Sequence, residues 1–324
     1  MKQHIISLRI LATLAVVALH VSAPLLRSFE SNGIQAWWYG NMIDGLARWC
    51  VPIFFMISGA LLLTKEESMG SFYKKRLQKI MIPFAFWVVF YVLYQRFVEN
   101  IALRVLILKI FEKPYFHLWF LYALVGIYLV TPFLQKWLKV TSKHMVLCLL
   151  LFWSMNEAIF PMVNKMAGIK IGFEIPIMAS YLGFFVWGYY LETYKPRIHP
   201  IFFAIAGGIT VMGTYVLTKQ NGGIFDGYFY GYATLNVLMM AIALYVLMQR
   251  NPLQIPFQSF FDKHSFGVYL IHAFVLLGID RWLNIQALWI HPLLGIPITV
   301  VCVLMISYTV VWMISKIPII KKIV

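Results

Sequence analysis

Three ionisable side chains, Arg9, His20 and Arg48, fall inside stretches of sequence that are otherwise almost wholly apolar. In hydrocarbon such a group costs about 2.5–3.5 kcal/mol on insertion scales, so it faces a protein cavity and marks a functional candidate. Arg9 and His20 are eleven residues apart. At ~3.6 residues per turn that is close to three full turns, which puts both on one helix face, ~16 Å apart along the axis. Arg48 lies in the next apolar stretch, which runs back in the opposite direction. Counted from the expected helix ends, Arg48 shares the depth of His20, and Ser58 shares the depth of Arg9. If the two helices pack, the four residues form a polar column.

The chemistry that suits this column is group transfer. An imidazole, with an ordinary pKa near ~6.5, can take a proton from a hydroxyl at neutral pH. A guanidinium at the same level can hold an oxyanion or an acidic substrate group. Taken singly, each residue has a plainer reading: an arginine near a helix end snorkels to the interface, and a lone histidine packs. The coincidence of all three in face and depth favours a functional cavity. Cys50 could carry an acyl group covalently, but it sits about 200° round the helix from Arg48 and points elsewhere. A second basic group, Lys74-Lys75-Arg76-Leu77-Gln78-Lys79, precedes Pro83. It reads as topological anchoring by default, and equally as a grip for a phosphorylated donor at the mouth of the Arg9–Ser58 end.

The elements that must position these residues are membrane spans. Hydrophobic residues make up 61% of the 324-residue chain and charged residues only 12%, about half the usual globular share of ~25%. Mean hydropathy is +0.79. Disorder, collagen-like repeats and a secreted disulfide scaffold are excluded. Runs of ~20 mostly apolar residues predict an all-α polytopic protein with about ten transmembrane helices. They are Ile5–Leu26, Met42–Leu63, Ile80–Val98, Leu118–Leu138, His144–Phe160, Phe173–Leu191, Ile198–Thr218, Tyr228–Met248, Phe266–Leu283 and Ile290–Ser315. The short stretch Ile101–Phe111 reads as interfacial or re-entrant. Residues 1–324 are expected to form a single transmembrane domain.

The net charge of +15 reports topology. Sixteen Lys and Arg fall in loops on the N-terminal side and nine opposite, among them Lys113 and Lys170, with Arg9 and Arg48 inside spans. That asymmetry predicts both termini in the cytoplasm, and nucleic acid is not an expected partner. Val21-Ser22-Ala23 imitates a signal-peptidase site, but Pro24 in the first mature position argues against cleavage. The three cysteines are odd in number, far apart and within spans, so they read as packing residues. No Walker loop, dinucleotide glycine fingerprint, metal-ligand spacing or transporter-type repeat is present, and no metal is expected.

The motifs resemble those of the acyltransferase 3 family of integral-membrane acyltransferases. Arg9-x10-His20 is similar to its first-span hallmark, and Arg48-x3-Pro52-x-Phe54-Phe55-x2-Ser58-Gly59 to its second-span signature. Arg76-x2-Lys79-Ile80-x2-Pro83, His117-Leu118-Trp119-Phe120-Leu121-Tyr122 and Ser265-Phe266-Gly267-Val268-Tyr269-Leu270-Ile271-His272 resemble three further motifs, in family order. Each is weak alone; five in register are specific. The resemblance is to short members that acetylate surface glycans such as enterobacterial common antigen and lack a fused SGNH hydrolase-like domain.

The resemblance implies a bacterial plasma-membrane O-acyltransferase. It would move an acyl group, most simply acetyl, from cytoplasmic acetyl-CoA or another acyl-CoA to a hydroxyl of a cell-envelope polysaccharide or lipid-linked glycan. His20 would be catalytic with Arg48. Arg9, Ser58, Arg76 and Lys79 would bind the acyl-CoA. His117, Trp119 and Glu157 would meet the acceptor, with a lip position or helix cap as the plainer reading of His117 and Glu157. Tyr269 and His272 are expected toward the cytoplasmic third of their span, with a helix–helix hydrogen bond as their role. The competing class is an exporter of a glycan or lipid-linked sugar, in which His20 and Arg48 bind substrate without chemistry.

Overall fold

The computed structural model describes residues 2–65, 67–112, 115–169 and 180–324. The chain is an all-α polytopic membrane protein. In order, its helices are α1 (Gln3–Ser22), α2 (Phe29–Asn32), α3 (Ile34–Ala47), α4 (Cys50–Leu62), α5 (Met69–Phe97), α6 (Leu103–Glu112) and α7 (Trp119–Val140). There follow α8 (Lys143–Ser154), α9 (Phe160–Ala167), α10 (Ser180–Tyr194), α11 (Ile201–Gln220), α12 (Leu235–Arg250), α13 (Gln258–Leu283) and α14 (Pro292–Lys316). Among the described residues nine helical stretches are long and apolar enough to cross a membrane. The expected span Phe173–Leu191 begins outside the described residues, as do Lys113 and Lys170; its described part is α10.

Several spans depart from their expected outlines: the third starts at Met69, before the expected Ile80, and the ninth at Gln258, before the expected Phe266. Others keep or extend their bounds with a local irregularity. The first ends in a 3-10 turn, Ala23–Leu26, with Pro24 in its opening positions. The second starts at Ile34, two turns before Met42, and is one 29-residue stretch broken between α3 and α4 at Arg48–Trp49. Pro52 causes the break. It has no N–H for the carbonyl four residues earlier, which is that of Arg48, and its ring crowds that carbonyl. The fifth span runs on from α8 through a π-turn, Met155–Ile159, into α9, which ends at Gly168 with φ +68°. The stretch expected to be interfacial is α6. It lies along α5, with Leu106 buried and Leu108 69% exposed, as an amphipathic segment at an interface would.

The bundle is assembled around α1, which packs against α3, α4, α12, α13 and α14. Its residues Ile5, Leu8 and Ala12 are fully buried, while Leu14 is 44% exposed, so one face of the helix looks into protein and another outward. The closest helix approach is between α4 and α10. A Cβ added at Gly59 would lie 1.7 Å from the Phe185 carbonyl oxygen, and one at Gly188 would lie 1.9 Å from that of Met56. Small residues that let backbones touch are the usual means of packing helices in lipid, where apolar burial supplies little drive between them. Gly59 thereby fixes α4, and with it the neighbouring Ser58.

Candidate functional site

Helix α13 runs parallel to α1 and in step with it. Near the face carrying Lys2, the Gln3 and Gln258 side chains are hydrogen-bonded, and Ser7 Oγ donates to the Leu253 carbonyl at 3.0 Å. One turn deeper, Arg9 Nη1 meets Asp262 Oδ1 at 2.6 Å. Three turns beyond Arg9, the His20 and His272 rings lie near-parallel with centroids 5.3 Å apart. The Arg9…His20 ladder of α1 is therefore matched rung for rung by Asp262…His272 of α13. Sequence reading missed Asp262 and set His272 apart near the cytoplasm; the structure corrects this by stacking His272 against His20. The signal was the spacing, since Asp262 and His272 are ten residues apart and also share one helix face.

His20 borders a cleft lined by Val16, Leu19, Val51, Phe54, His117, Trp119, Phe120, Tyr232 and Tyr269. No hydrogen bond occupies its ring among the described residues. Two further imidazoles flank it. His272 Nδ1 donates to the Tyr269 carbonyl at 2.7 Å, which leaves its Nε2 as a buried acceptor without a partner. His117 contacts the His272 ring edge-on at 5.1 Å and holds the Leu270 carbonyl through Nε2 at 3.3 Å. At 2% exposure His117 is an internal wall of the cleft, where a rim position was expected. The Tyr269 hydroxyl donates to the His117 carbonyl at 2.5 Å; the acceptor lies in the turn before α7, where a helix–helix bond was expected.

Arg48 reaches this centre by a route that counting residues did not give. Because its helix starts at Ile34, its backbone lies deeper than the expected outline implied. Helical side chains lean toward the N-terminus, and the guanidinium leans back one turn to Asp44, with Nη2 2.5 Å from Oδ1. Asp44 is completely buried. It is a second ionisable residue of the same apolar stretch, and sequence reading passed over it. The i, i+4 spacing from Arg48 was the available signal. The guanidinium also covers the Tyr230 ring at 4.4 Å and approaches Tyr232 at 5.8 Å. Its Nε is buried with no hydrogen-bond partner among the described residues, and the guanidinium lies within electrostatic reach of His20.

Trp119 continues the wall away from Arg48. It stacks on Tyr232 at 5.7 Å and packs against Tyr181 at 5.1 Å. Glu157 lies beyond Tyr181, in electrostatic contact with it and hydrogen-bonded by Asn156 at 3.0 Å. It sits on the π-turn, apart from the histidines.

The other end of the column also gathers the residues expected there. Ser58 donates to the Phe54 carbonyl at 2.9 Å and is in hydrogen-bond contact with the Tyr128 hydroxyl, which lies within electrostatic reach of both Arg9 and Arg76. Arg76, Tyr73, Val125 and Tyr128 line a cleft between α5 and α7. Lys79 and Arg9 act together on Asp262. Sequence reading missed Tyr128 and Glu67, whose carboxylate holds Arg76 Nη2 at 2.8 Å and Lys75 Nζ at 3.2 Å. Cys50 is buried in the core, and its neighbour Val51, not the thiol, faces the His20 cleft.

The fold defines a polytopic membrane protein with a cluster of histidines and an arginine enclosed by its helix bundle. An acyltransferase domain, that of the acyltransferase 3 family, matches residues 3–315. The chain belongs to that family and is a membrane acyltransferase. No curated protein and no solved structure matches it.

Proposed function

We propose that the chain is an O-acyltransferase of the bacterial plasma membrane, with both termini cytoplasmic. It takes an acyl group, most simply acetyl, from cytoplasmic acyl-CoA and places it on a hydroxyl of a cell-envelope polysaccharide or lipid-linked glycan. The observation that carries this reading is that His20, which borders a cleft and makes no hydrogen bond among the described residues, lies within electrostatic reach of a guanidinium ion-paired with Asp44. In this mechanism His20 takes the proton of the acceptor hydroxyl while its oxygen forms a bond to the thioester carbonyl carbon. Negative charge develops on the carbonyl oxygen, and Arg48, whose Nε–H has no hydrogen-bond partner among the described residues, answers it. Collapse breaks the C–S bond, and the departing thiolate takes the proton held by His20.

The donor enters from the Arg76 side. Arg76, Lys79 and Arg9 hold its phosphates, and Ser58 with Tyr128 lines the path of the pantetheine. The acceptor approaches the opposite end, where Trp119 and its aromatic neighbours Tyr181 and Tyr232 offer flat faces to a sugar ring and Glu157 accepts from its hydroxyls. Aromatic faces and a carboxylate suit a carbohydrate better than a lipid chain. Mass spectrometry of envelope glycans tests the reading: expression of the wild-type chain adds acyl groups, and His20→Ala, expressed to the same level, does not. A glycan that changes in amount but not in mass would instead indicate an exporter.

A further inference from the structure

Two of the cations proposed to hold the donor, Arg9 and Arg76, already have a carboxylate. Glu67 lies 2.8 Å from Arg76 and 3.2 Å from Lys75, and its side chain is only 11% exposed. Its position in the chain sets it apart from the carboxylate opposite Arg9. Asp262 belongs to α13, a helix packed against α1. Glu67 sits in the turn between α4 and α5, immediately before Ser68, the residue that caps α5 by accepting the Ser71 N–H. It is outside the helix, so a rotation about its own side chain frees Arg76 and breaks no backbone hydrogen bond. Arg76 also keeps a buried Nε–H with no partner and borders the α5–α7 cleft. The cation is thus placed for a larger anion than the carboxylate it holds.

We infer that Glu67 is a resident counter-ion that a phosphate of the acyl-CoA donor displaces from Arg76, so that Glu67 sets donor affinity by competing for that guanidinium. A carboxylate brings one negative charge and two acceptor oxygens. A phosphate brings up to two charges and three acceptor oxygens, enough to replace Glu67 at Arg76 and reach the unused Nε–H. The inference rests on the proposed donor site at Arg76.

The two roles open to Glu67 predict opposite signs. If Glu67 only orients Arg76, its removal weakens donor binding. If it competes, its removal tightens binding. The measurement is equilibrium binding of CoA, and separately KM for acetyl-CoA, with the full chain in nanodiscs. Glu67→Gln is expected to bind CoA about two- to fivefold tighter, the range set by one partly exposed ion pair, and to lower KM in parallel with kcat unchanged. Arg76→Ala is expected to weaken CoA binding, and Glu67→Gln added to Arg76→Ala to give no further gain. Unchanged or weaker CoA binding by Glu67→Gln, with Arg76→Ala still weakening it, overturns the inference and leaves the donor site standing. CoA binding that is indifferent to Arg76→Ala overturns the donor site itself. Should Glu67→Gln fold poorly, Glu67→Asp decides. Its shortened side chain, held further from Arg76, is expected to tighten CoA binding in the same sense, and equal or weaker binding counts against competition.

Discussion

A guanidinium enclosed by helices is tolerated only when its charge is answered, and Asp44 answers that of Arg48 from one turn away, with no exposure of its own. Removing one partner of a buried pair leaves the other charged and unpaired. Asp44→Ala is therefore expected to cost about 3–5 kcal/mol, read as a lowered unfolding temperature in detergent or nanodiscs, with activity lost. Asp44→Ala combined with Arg48→Met removes both charges and is expected to recover most of the stability and none of the activity. Recovery of activity by the double variant would show that Arg48 only props the fold. At this scale much was legible in the sequence. Arg9, His20, Arg48, Ser58, Arg76 and Lys79 each stand out as polar among apolar neighbours or as a basic motif. Asp44, Asp262 and Glu67 were not read because a carboxylate acquires meaning only beside the cation it pairs with, and for Asp262 and Arg9 the pair is 253 residues apart.

Among the elements, α4 and α10 make the tightest contact, and it constrains the α4 segment that follows Arg48. Nothing can be added at Gly59, where a Cβ would overlap the Phe185 backbone rather than a side chain that could move. Gly59→Ala is expected to cost at least ~1–3 kcal/mol, the usual range for overpacking, or to abolish folding, measured as monodisperse yield after extraction. Gly208→Ala, with open space around the added Cβ, is the neutral control. A weaker tie joins α9 to the segment before α12, where Lys165 lies 2.8 Å from Asp226 and the Tyr228 N–H donates to the same carboxylate at 3.0 Å. Burial works to raise the Asp226 pKa, but the Lys165 hydrogen bond, the Tyr228 N–H and the Lys165 charge together outweigh it and hold the group below its ordinary value. A depressed carboxylate stabilises the fold above its unfolded pKa and ceases to do so only as pH falls through the folded value. Stability from this pair is therefore expected to be flat between about pH 5 and 8, and Asp226→Asn to cost no more than ~1 kcal/mol, checked by thermal shift across that range. The elements were readable from apolar runs, but their breaks were less so. The break at Arg48 follows from Pro52, four residues on, and the π-turn at Met155–Ile159 has a similar mark in Pro161, which offers no N–H to the Glu157 carbonyl; a reading by apolar runs registers neither proline.

For the molecule as a whole, the apolar excess and the +15 charge resolve into a helical bundle with an apolar core and two polar clusters along α1. One end holds Arg9, Ser58, Tyr128, Arg76 and Lys79, and the other His20, Arg48 and the aromatic wall. The two ends suit different substrates, so orientation becomes a functional prediction. Both termini are expected in the cytoplasm, with the Arg76 end facing its CoA pool. A fluorescent-protein fusion at the C-terminus should fluoresce and an alkaline phosphatase fusion there should be inactive; the reverse pattern would turn the donor site away from its substrate. Composition and charge gave the class and the expected topology. The convergence of α1 with α13 was beyond them, because it is set by three-dimensional packing between helices far apart in sequence. The most direct test of the central claim is acetyl-CoA turnover by the purified chain in nanodiscs, followed as free thiol. Wild type is expected to release CoA slowly to water and His20→Ala to fall at least ~100-fold, the lower range for loss of a general base, while still binding CoA. Turnover undiminished in well-folded His20→Ala, or no binding of CoA by the wild-type chain, would contradict it.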